Sequence, residues 1–459
     1  MKSFTCVTFA ILLFAQLSAY GDKPNVVLII SDDQRFTDYG FMGHESIKTP
    51  NLDQLAKEST VFRRGYVPTA LCRPSLLTIA TGRYAHEHCT GGNDPWIEKN
   101  RRGSDEYKAR RRTMIDHVDK FPTIADILGE QGYVSHQSGK WWEGKYDRGG
   151  FTEGMTLGFG NHKNGRHGDE GLKIGRQTMK PVFEFMNEAV QSKKPFLVWY
   201  APFLPHTPHN PAPERVAKYR GKDNSVPLKE AKYHAMCEWF DETCGQLLSK
   251  IDDLGVRDNT LVVYVCDNGW VTAVKELGNK PQGWTRGFAP RSKQSPFESG
   301  TRTPIMYRWP GKIAAQDRPE LASSIDILPT VLSAAGVDAP DGLPGLNLMA
   351  ALREKSPIER NRIFGESFDH DQSDLNNTEA TLAYRWCIQD NWKLLLSYQG
   401  ELPGRYPEIH KLMQGKPRLY DLSKDPLEQT NLIEQHADLA AELRKHIDDW
   451  YAVKKPVME

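Results

Sequence analysis

Acidic and amide side chains follow two apolar stretches of the sequence, and they are of the types that bind hard divalent cations. Asp32 and Asp33 come directly after the run NVVLIIS, and Asp267 and Asn268 follow LVVYVC. Their carboxylate and amide oxygens favour Ca²⁺ or Mg²⁺ over Zn²⁺. Each pair alone is typical of a turn or a helix cap. Their shared position after strand-like runs predicts one metal site.

A cysteine stands at the start of a segment that can be helical. The run CRPSLLTIATGR begins at Cys72 and has Pro74 in its first turn, where proline favours helix initiation. A helix amino terminus attracts anions and lowers the pKa of a thiol, so Cys72 is a candidate nucleophile. The alternative for Cys72 is a buried cysteine with a packing role only.

Two further polar residues follow strand-like runs. Lys140 comes after YVSHQS, and His206 lies shortly after FLVWY. Ligands of open α/β sheets gather at the carboxyl ends of the strands. Alone, Lys140 would be interpreted as a surface lysine. Together with the acidic pairs and His206, it indicates a polar site along one edge of a sheet.

Alternating strands and helices must position these residues. The continuous β-branched runs predict strands covered on both faces, and the intervening segments predict helices near 49–62, 122–131, 177–190, 227–254 and 323–335. This alternation predicts an α/β domain with a largely parallel sheet sandwiched by helices, over residues 22–340. Shorter strand-like pieces and a last helix near 438–451 predict a smaller C-terminal α+β subdomain over 345–459.

Composition and the first residues limit the partners and the compartment. The 459 residues carry 59 Lys plus Arg and 59 Asp plus Glu, so no bulk charge draws the chain to nucleic acid, and we expect no nucleic-acid partner. Residues 1–21 have the charged, apolar and small-residue order of a signal peptide. We therefore expect an exported protein, periplasmic or secreted, with no stable membrane anchor. Six cysteines remain after cleavage, too few to imply a disulfide framework.

The motifs around Cys72 resemble the signature of the type I sulfatases of the alkaline-phosphatase-like superfamily. Cys72-x-Pro74-Ser75 followed by Thr81-Gly82-Arg83 is similar to C-x-P-S-R followed by T-G-R. Further similar segments follow in order: TPNLDQLAKES at 49–59, Gly139-Lys140-Trp141, Pro205-His206-x-Pro208, Asp267-Asn268-Gly269, Lys293 five residues before Glu298, Arg302-x-Pro304 and LYDLSKDPLEQTNL at 419–432. The resemblance implies an alkaline-phosphatase-like fold and hydrolysis of sulfate monoesters.

Carried over to this chain, the resemblance implies a cofactor and a modified nucleophile. It implies one Ca²⁺ ion, held by Asp32, Asp33, Asp267, Asn268 and the modified Cys72. It also implies oxidation of Cys72 to formylglycine by a formylglycine-generating or sulfatase-maturating enzyme, with the hydrate as nucleophile. Lys140, His206 and Lys293 would hold the sulfate oxygens, and one of the two lysines or His206 would protonate the leaving alcohol. The implied substrate is a sulfated small molecule or glycan.

The sequence departs from the family pattern near the expected nucleophile. Leu76 stands where the family usually has Arg, and Trp142 replaces the His of G-K-W-H. Leu76 would share the helix face of Cys72, so a cation is missing there. The candidates to replace these groups or to bind substrate are His136, Arg166, His167 and His209.

Two alternatives to a sulfatase stay open from the sequence. The first is a phosphonate or phosphate ester hydrolase with the same metal and nucleophile, since tetrahedral anions differ mainly in charge. The second is a non-catalytic glycan-binding homologue. Retention of both acidic pairs, both lysines, His206 and Cys72 favours an active enzyme.

Overall fold

The computed structural model describes residues 23–158, 167–272, 282–284, 288–400, 402, 410 and 413–459. The predicted signal peptide at 1–21 lies outside these ranges. In the described residues the strands are β1 (Asn25–Ser31), β2 (Thr60–Tyr66), β3 (Asp94–Pro95), β4 (Val134–Gly139), β5 (Glu153–Gly154), β6 (Phe196–Ala201), β7 (Thr260–Cys266), β8 (Arg302–Arg308), β9 (Gln316–Arg318), β10 (Ala322–Ser323), β11 (Arg362–Phe368), β12 (Asp371–Gln372), β13 (Leu382–Gln389), β14 (Trp392–Ser397) and β15 (Arg418–Asp421).

Helices connect most of these strands. They are α1 (Pro50–Lys57), α2 (Cys72–Thr81), α3 (Ala85–His88), α4 (Asp105–Ile115), α5 (Ile124–Glu130), α6 (Lys180–Gln191), α7 (Pro213–Tyr219), α8 (Leu228–Asp253), α9 (Glu298–Thr301), α10 (Ile327–Ala334), α11 (Met349–Glu354) and α12 (Ala437–Trp450). Most predicted helix ends lie within four residues of these bounds, and the first turn predicted for α10 is the separate 3-10 turn Ser324–Asp326. The helix predicted over 49–62 is too long, because α1 ends at Lys57 and Phe62 lies in β2. Thr60, Val61 and Phe62 are β-branched or aromatic, and they pair with β8 instead of continuing the helix.

The larger sheet has nine strands and is mixed but largely parallel. Its order is β10-β2-β8-β7-β1-β6-β4-β5, with β9 paired to β2. β1 lies at its centre, parallel to both β6 and β7. β8 is antiparallel to β7 and β2. The carboxyl ends of β1, β4, β6 and β7 therefore meet at one edge, as the sequence predicts.

Helices cover both faces of this sheet because its central strand is apolar on both sides. All seven residues of β1 are buried. Val26, Leu28 and Ile30 pack with residues of α2, α5 and α10. Val27 and Ile29 pack with residues of α1, α6 and α8. The observed architecture confirms the predicted α/β fold, a largely parallel sheet sandwiched by helices.

A smaller antiparallel sheet follows in the C-terminal part. Its strands are ordered β11-β13-β14-β15. Leu443 and Ile447 of α12 pack against Leu394 and Leu396 of β14. This sheet and its helix confirm the predicted α+β character of the C-terminal part, while the residue limits of the two predicted units stay a prediction.

Helix α8 contains the two cysteines that the sequence places seven residues apart. Cys237 and Cys244 are both buried among core residues. All six cysteines of the described residues are free thiols. A search for long apolar helices in those residues finds none able to cross a membrane.

Candidate active site

The loops after three adjacent parallel strands converge on one point. The backbone N–H of Asp32 donates to the carbonyl of Leu204, and that of Asp267 donates to the carbonyl of Ser31, at 3.0 and 2.9 Å. The backbone N–H of Asp33 donates to Asp267 Oδ1 at 3.1 Å. These bonds tie the ends of β1, β6 and β7 together, so both predicted acidic pairs lie in one buried cluster.

Helix α2 brings Cys72 to this cluster. Cys72 is the first residue of α2, whose ten residues are all buried. The Cys72 Sγ atom lies 3.3 Å from Lys293 Nζ, 3.6 Å from Asn268 Nδ2 and 3.9 Å from Asp33 Oδ1. The helix start and the contacts with the cluster agree with the sequence prediction.

The prediction that the helix start lowers the pKa of the Cys72 thiol is wrong. Burial raises the pKa of Cys72 to about 12, and the positive charges of Lys140 and Lys293 only partly oppose this. The helix amino terminus favours the thiolate, but removing the thiol from water outweighs that preference. An unmodified Cys72 is therefore protonated at neutral pH and a poor nucleophile.

Two buried lysines neutralise part of the acidic charge. Lys140 Nζ donates to Asp32 Oδ1 at 2.6 Å and lies 3.6 Å from Asp267 Oδ2. Lys293 Nζ donates to Asp33 Oδ1. Burial lowers the pKa of both lysines, but the neighbouring carboxylates outweigh it and raise each pKa above its usual value. Both ammonium groups are charged at neutral pH.

His206 lies in a loop with cis peptide bonds before Pro205 and Pro208. Its Nε2 atom is 3.4 Å from Asp33 Oδ2, and its Nδ1 atom is 2.6 Å from the carbonyl oxygen of Thr207. Burial, followed by the charges of Lys293 and Lys140, lowers the pKa of His206 well below its usual value. His206 is therefore neutral at neutral pH, and its Nε2 atom lies beside Asp33 of the acidic cluster.

The acidic cluster has the donors that a hard cation needs. In the described part of the chain, three of its buried oxygens have no hydrogen-bond partner: Asp32 Oδ2, Asp267 Oδ2 and Asn268 Oδ1. Burial raises the pKa of Asp32 and of Asp267, and the charge of Lys140 only partly opposes this. Asp32, Asp33, Cys72 and His206 also offer ligand atoms within 4.8 Å of one another. The oxygen donors of Asp32, Asp33, Asp267 and Asn268 fit Ca²⁺ or Mg²⁺.

The candidate replacement residues differ in their positions. The His167 ring lies 4.2 Å from the ring of Trp142 and 6.2 Å from that of His206, measured between centroids. His209 lies 5.7 Å from the ring of Tyr233, on the wall beside the cluster. Arg166 lies outside the described residues.

His136 does not reach the site, contrary to the sequence interpretation. Its ring packs 5.2 Å from that of Phe185, which belongs to α6 on the covered face of the sheet. Alternate side chains of β4 point to opposite faces, and only the end of the strand borders the cluster. Proximity to Lys140 in sequence was therefore a poor guide.

Leu76, which stands where the family usually has Arg, is a core residue in this chain. Leu76 is 3% exposed and packs in the hydrophobic core between the large sheet and its helices. Arg73 is instead the buried arginine of α2. Its Nε and Nη2 atoms donate to Glu143 Oε1 and Oε2 at 2.8 and 2.5 Å. Sequence reasoning missed this pair, although Arg73 adjoins Cys72 and Glu143 adjoins Trp142.

A second arginine missed by sequence reasoning holds the His206 loop. Arg176 Nε donates to the carbonyl of Phe203, and Arg176 Nη2 donates to the carbonyl of His206, both at 2.6 Å. It also donates to the side chain of Asn210 at 2.7 Å. No motif surrounds Arg176, so no signal in the sequence indicated this role.

Comparison with known proteins identifies the family. The described fold is of the alkaline-phosphatase-like type, shared with solved sulfatase structures. Residues 24–337 match the family model described as Sulfatase, and residues 291–452 match the one described as N-sulphoglucosamine sulphohydrolase, C-terminal. The chain belongs to the sulfatase family, and it is an enzyme that hydrolyses sulfate esters.

Individual relatives extend over most of the chain. Arylsulfatase A of Bos taurus is 28% identical over 483 residues, covering 95% of this chain and 88% of the relative. The N-acetylgalactosamine-6-sulfatase of Canis lupus familiaris is 28% identical and covers 74% and 69%. A structure solved with its substrate D-glucosamine-2-N,6-O-disulfate has a TM-score of 0.68 at 19% identity, covering 93% and 97%.

Proposed function

We propose that this sulfatase removes sulfate from a sulfated carbohydrate, using Ca²⁺ and a formylglycine formed from Cys72. The names of its relatives support a carbohydrate substrate, since they include a sulfatase of N-acetylgalactosamine 6-sulfate groups. The observation that carries the mechanism is the buried contact of Cys72 Sγ with Lys293, Asn268 and Asp33.

The raised pKa of Cys72 supports modification of this residue. A thiol with a pKa of about 12 is almost fully protonated at neutral pH, so the unmodified side chain is poorly suited to attack an ester. When present, Ca²⁺ supplies positive charge beside the sulfate group, and a formylglycine hydrate at position 72 supplies a hydroxyl nucleophile. Asp32, Asp33, Asp267 and Asn268 would hold the ion.

The remaining polar residues bind the sulfate group and stabilise the charge that develops on it. Lys140 and Lys293 lie on either side of the acidic cluster and carry its two ammonium groups. In a buried site, such fixed positive charges stabilise a transition state strongly because no solvent needs to reorganise. His206 Nε2 completes the sulfate contacts, with His167 and His209 farther out on the wall as substrate-binding residues.

Cleavage of the sulfate ester leaves an alkoxide that needs a proton. His206 is neutral at neutral pH because burial and two adjacent ammonium groups lower its pKa. We therefore assign proton donation to Lys140 or Lys293. The sulfuryl group would pass to the hydroxyl nucleophile at position 72 as the S–O bond to the sugar breaks. The electron pair of that bond stays on the sugar oxygen, and the lysine proton forms the alcohol.

We further propose that the protein is exported and modified before it becomes active. A signal peptide at 1–21 would export the chain to the periplasm or the medium, with a catalytic unit at 22–340 and a smaller unit at 345–459. A formylglycine-generating or sulfatase-maturating enzyme would act on the segment Cys72-Arg73-Pro74-Ser75-Leu76.

Turnover of defined esters tests the proposal. The protein expressed in its own host should release inorganic sulfate from sulfated monosaccharides, and Cys72→Ala should release none. The matched control is Cys89→Ala, because Cys89 is only partly buried and lies outside the acidic cluster. Faster hydrolysis of an aryl phosphate than of the corresponding aryl sulfate would favour the phosphatase alternative. Binding of the sulfated sugar without turnover would favour the non-catalytic alternative.

A further inference from the structure

The chain segment that carries Lys293 crosses the active site between two anchored ends. We name residues 291–298 the Lys293 segment. At its centre, Lys293 contacts Cys72 Sγ and Asp33. The backbone N–H of Lys293 donates to the carbonyl of Trp270, and that of Gln294 donates to the carbonyl of Ala70, both at 3.1 Å. The position of Lys293 Nζ thus depends on how the whole segment is held.

One residue of the C-terminal part contacts both ends of the Lys293 segment. At one end, Arg291 Nη1 donates to the backbone carbonyl of Glu428. At the other end, the backbone N–H of Glu298 donates to Glu428 Oε2 at 2.7 Å. Glu428 has a φ of 57°, in the left-handed region that non-glycine residues rarely adopt. In this conformation the backbone carbonyl of Glu428 accepts from Arg291 while its side chain accepts from the backbone N–H of Glu298.

A buried lysine fixes the side chain of Glu428. Lys393 Nζ of β14 lies 2.9 Å from Glu428 Oε1 and 3.2 Å from Glu298 Oε1, and all three side chains are at most 1% exposed. Glu298 Oε2 accepts a further hydrogen bond from Tyr66 of β2 at 2.9 Å. Loss of one charge from this buried network would leave the other charges without a partner, which is energetically costly. Lys393, Glu298 and Glu428 therefore hold one another in place.

We infer that Glu428 and Lys393 are positioning residues for Lys293. They hold the Lys293 segment at the distance that lets Lys293 Nζ reach Cys72 and the bound sulfate. This assigns a role to the LYDLSKDPLEQTNL motif, which lies far from Cys72 in sequence and supplies no residue to the acidic cluster. The inference rests on the proposed function, in which Lys293 binds the sulfate group.

Substitutions at both ends of the segment test this inference. Glu428→Ala should lower kcat/KM for a sulfate ester about 100-fold, the size of effect expected when a catalytic group is displaced by about 1 Å. It should also weaken inhibition by inorganic sulfate. Glu428→Gln retains an oxygen for the backbone N–H of Glu298 and should lose less. Arg291→Met, which removes the other contact without emptying the buried network, should also lower kcat/KM.

The control is Glu434→Gln, a charge removal at an exposed residue of the same C-terminal stretch, which should leave all parameters unchanged. If Glu428 had a purely structural role, Glu428→Ala would lower the melting temperature but leave kcat/KM and the sulfate inhibition constant at the wild-type values. That result, or the same result with folded Arg291→Met, would overturn the inference.

Calorimetric binding of inorganic sulfate separates failure of the inference from failure of the proposed function. If the wild-type protein hydrolyses no sulfate ester, the proposed function fails. Weaker sulfate binding by Glu428→Ala than by wild type then still supports a positioning role. Equal binding by the two proteins, or binding by neither, overturns it.

Discussion

Arg73 and Glu143 form a buried ion pair with two hydrogen bonds, at 2.8 and 2.5 Å. Arg73 follows Cys72 on α2, and Glu143 lies three residues after Lys140 beyond the end of β4. The pair therefore joins the helix that begins at Cys72 to the segment that carries Lys140. Because both side chains are at most 3% exposed, neither has water as a substitute partner.

Breaking this pair should strongly destabilise the protein. Arg73→Met leaves the Glu143 carboxylate buried without its partner, which should lower the free energy of unfolding by about 3 to 5 kcal/mol. Denaturant unfolding measures the change. Lys445→Met is the control, since Lys445 and Asp449 form an exposed pair whose loss should cost at most about 1 kcal/mol. A loss with Arg73→Met no larger than that of the control would contradict the account.

The two site lysines should be needed for turnover. Lys140→Met and Lys293→Met should each lower kcat about 100- to 1000-fold, as expected when a fixed donor to developing charge is removed. For the lysine that protonates the leaving group, the loss should be larger with alkyl sulfates than with activated aryl sulfates. Lys180→Met, at a lysine with 75% of its side chain exposed, is the control. Equal losses with both ester types, for both lysines, would refute proton donation by lysine.

Calcium should stabilise the protein through the acidic cluster. Binding to the unpaired oxygens of Asp32, Asp267 and Asn268 relieves repulsion between buried carboxylates. Ca²⁺ at about 100 times its Kd should add about 2.7 kcal/mol to the free energy of unfolding. The melting temperature with Ca²⁺ and with a chelator measures this. Asp267→Asn should lose most of the shift, and Asp317→Asn, at an exposed residue, should retain it.

His136 should make the protein sensitive to acid. Burial lowers its pKa to about 4, below its ordinary value of 6.5, so the folded state resists protonation that the unfolded state accepts. Its contribution is fully present above pH 6.5 and is lost as the pH falls toward 4.

The comparison of wild type with His136→Leu isolates this contribution. Between about pH 7 and about pH 5, wild type should lose about 2 kcal/mol more of its unfolding free energy than the variant. Denaturant unfolding at several pH values gives both slopes. If the unfolding free energies of the two proteins fall equally with pH, burial does not lower the pKa of His136.

The sequence predicted the central sheet well because local pattern and tertiary environment agree there. The apolar run at 25–31 corresponds to β1 residue for residue, since a strand buried on both faces needs continuous apolar side chains. The convergence of Asp32, Asp33, Asp267 and Asn268 followed from the rule that neighbouring parallel strands end at one edge. Cys72 at the start of α2 followed from Pro74.

What the sequence could not predict depends on contacts between distant segments. Burial of Cys72 reverses the effect of the helix terminus on its pKa, and burial is a property of the whole fold. The anchoring contacts of Arg176 and Glu428 join residues separated by about 30 and 130 positions. His136 was misplaced because the pattern of β4 does not by itself show which of its side chains face the helices.

Mass spectrometry of the peptide that contains Cys72, prepared from protein expressed in its own host, tests whether the formylglycine forms. We expect the mass of an aldehyde at position 72, which would show that the segment ending in Leu76 is recognised and that the enzyme has its nucleophile. An unmodified thiol throughout a preparation that hydrolyses sulfate esters would contradict the formylglycine mechanism.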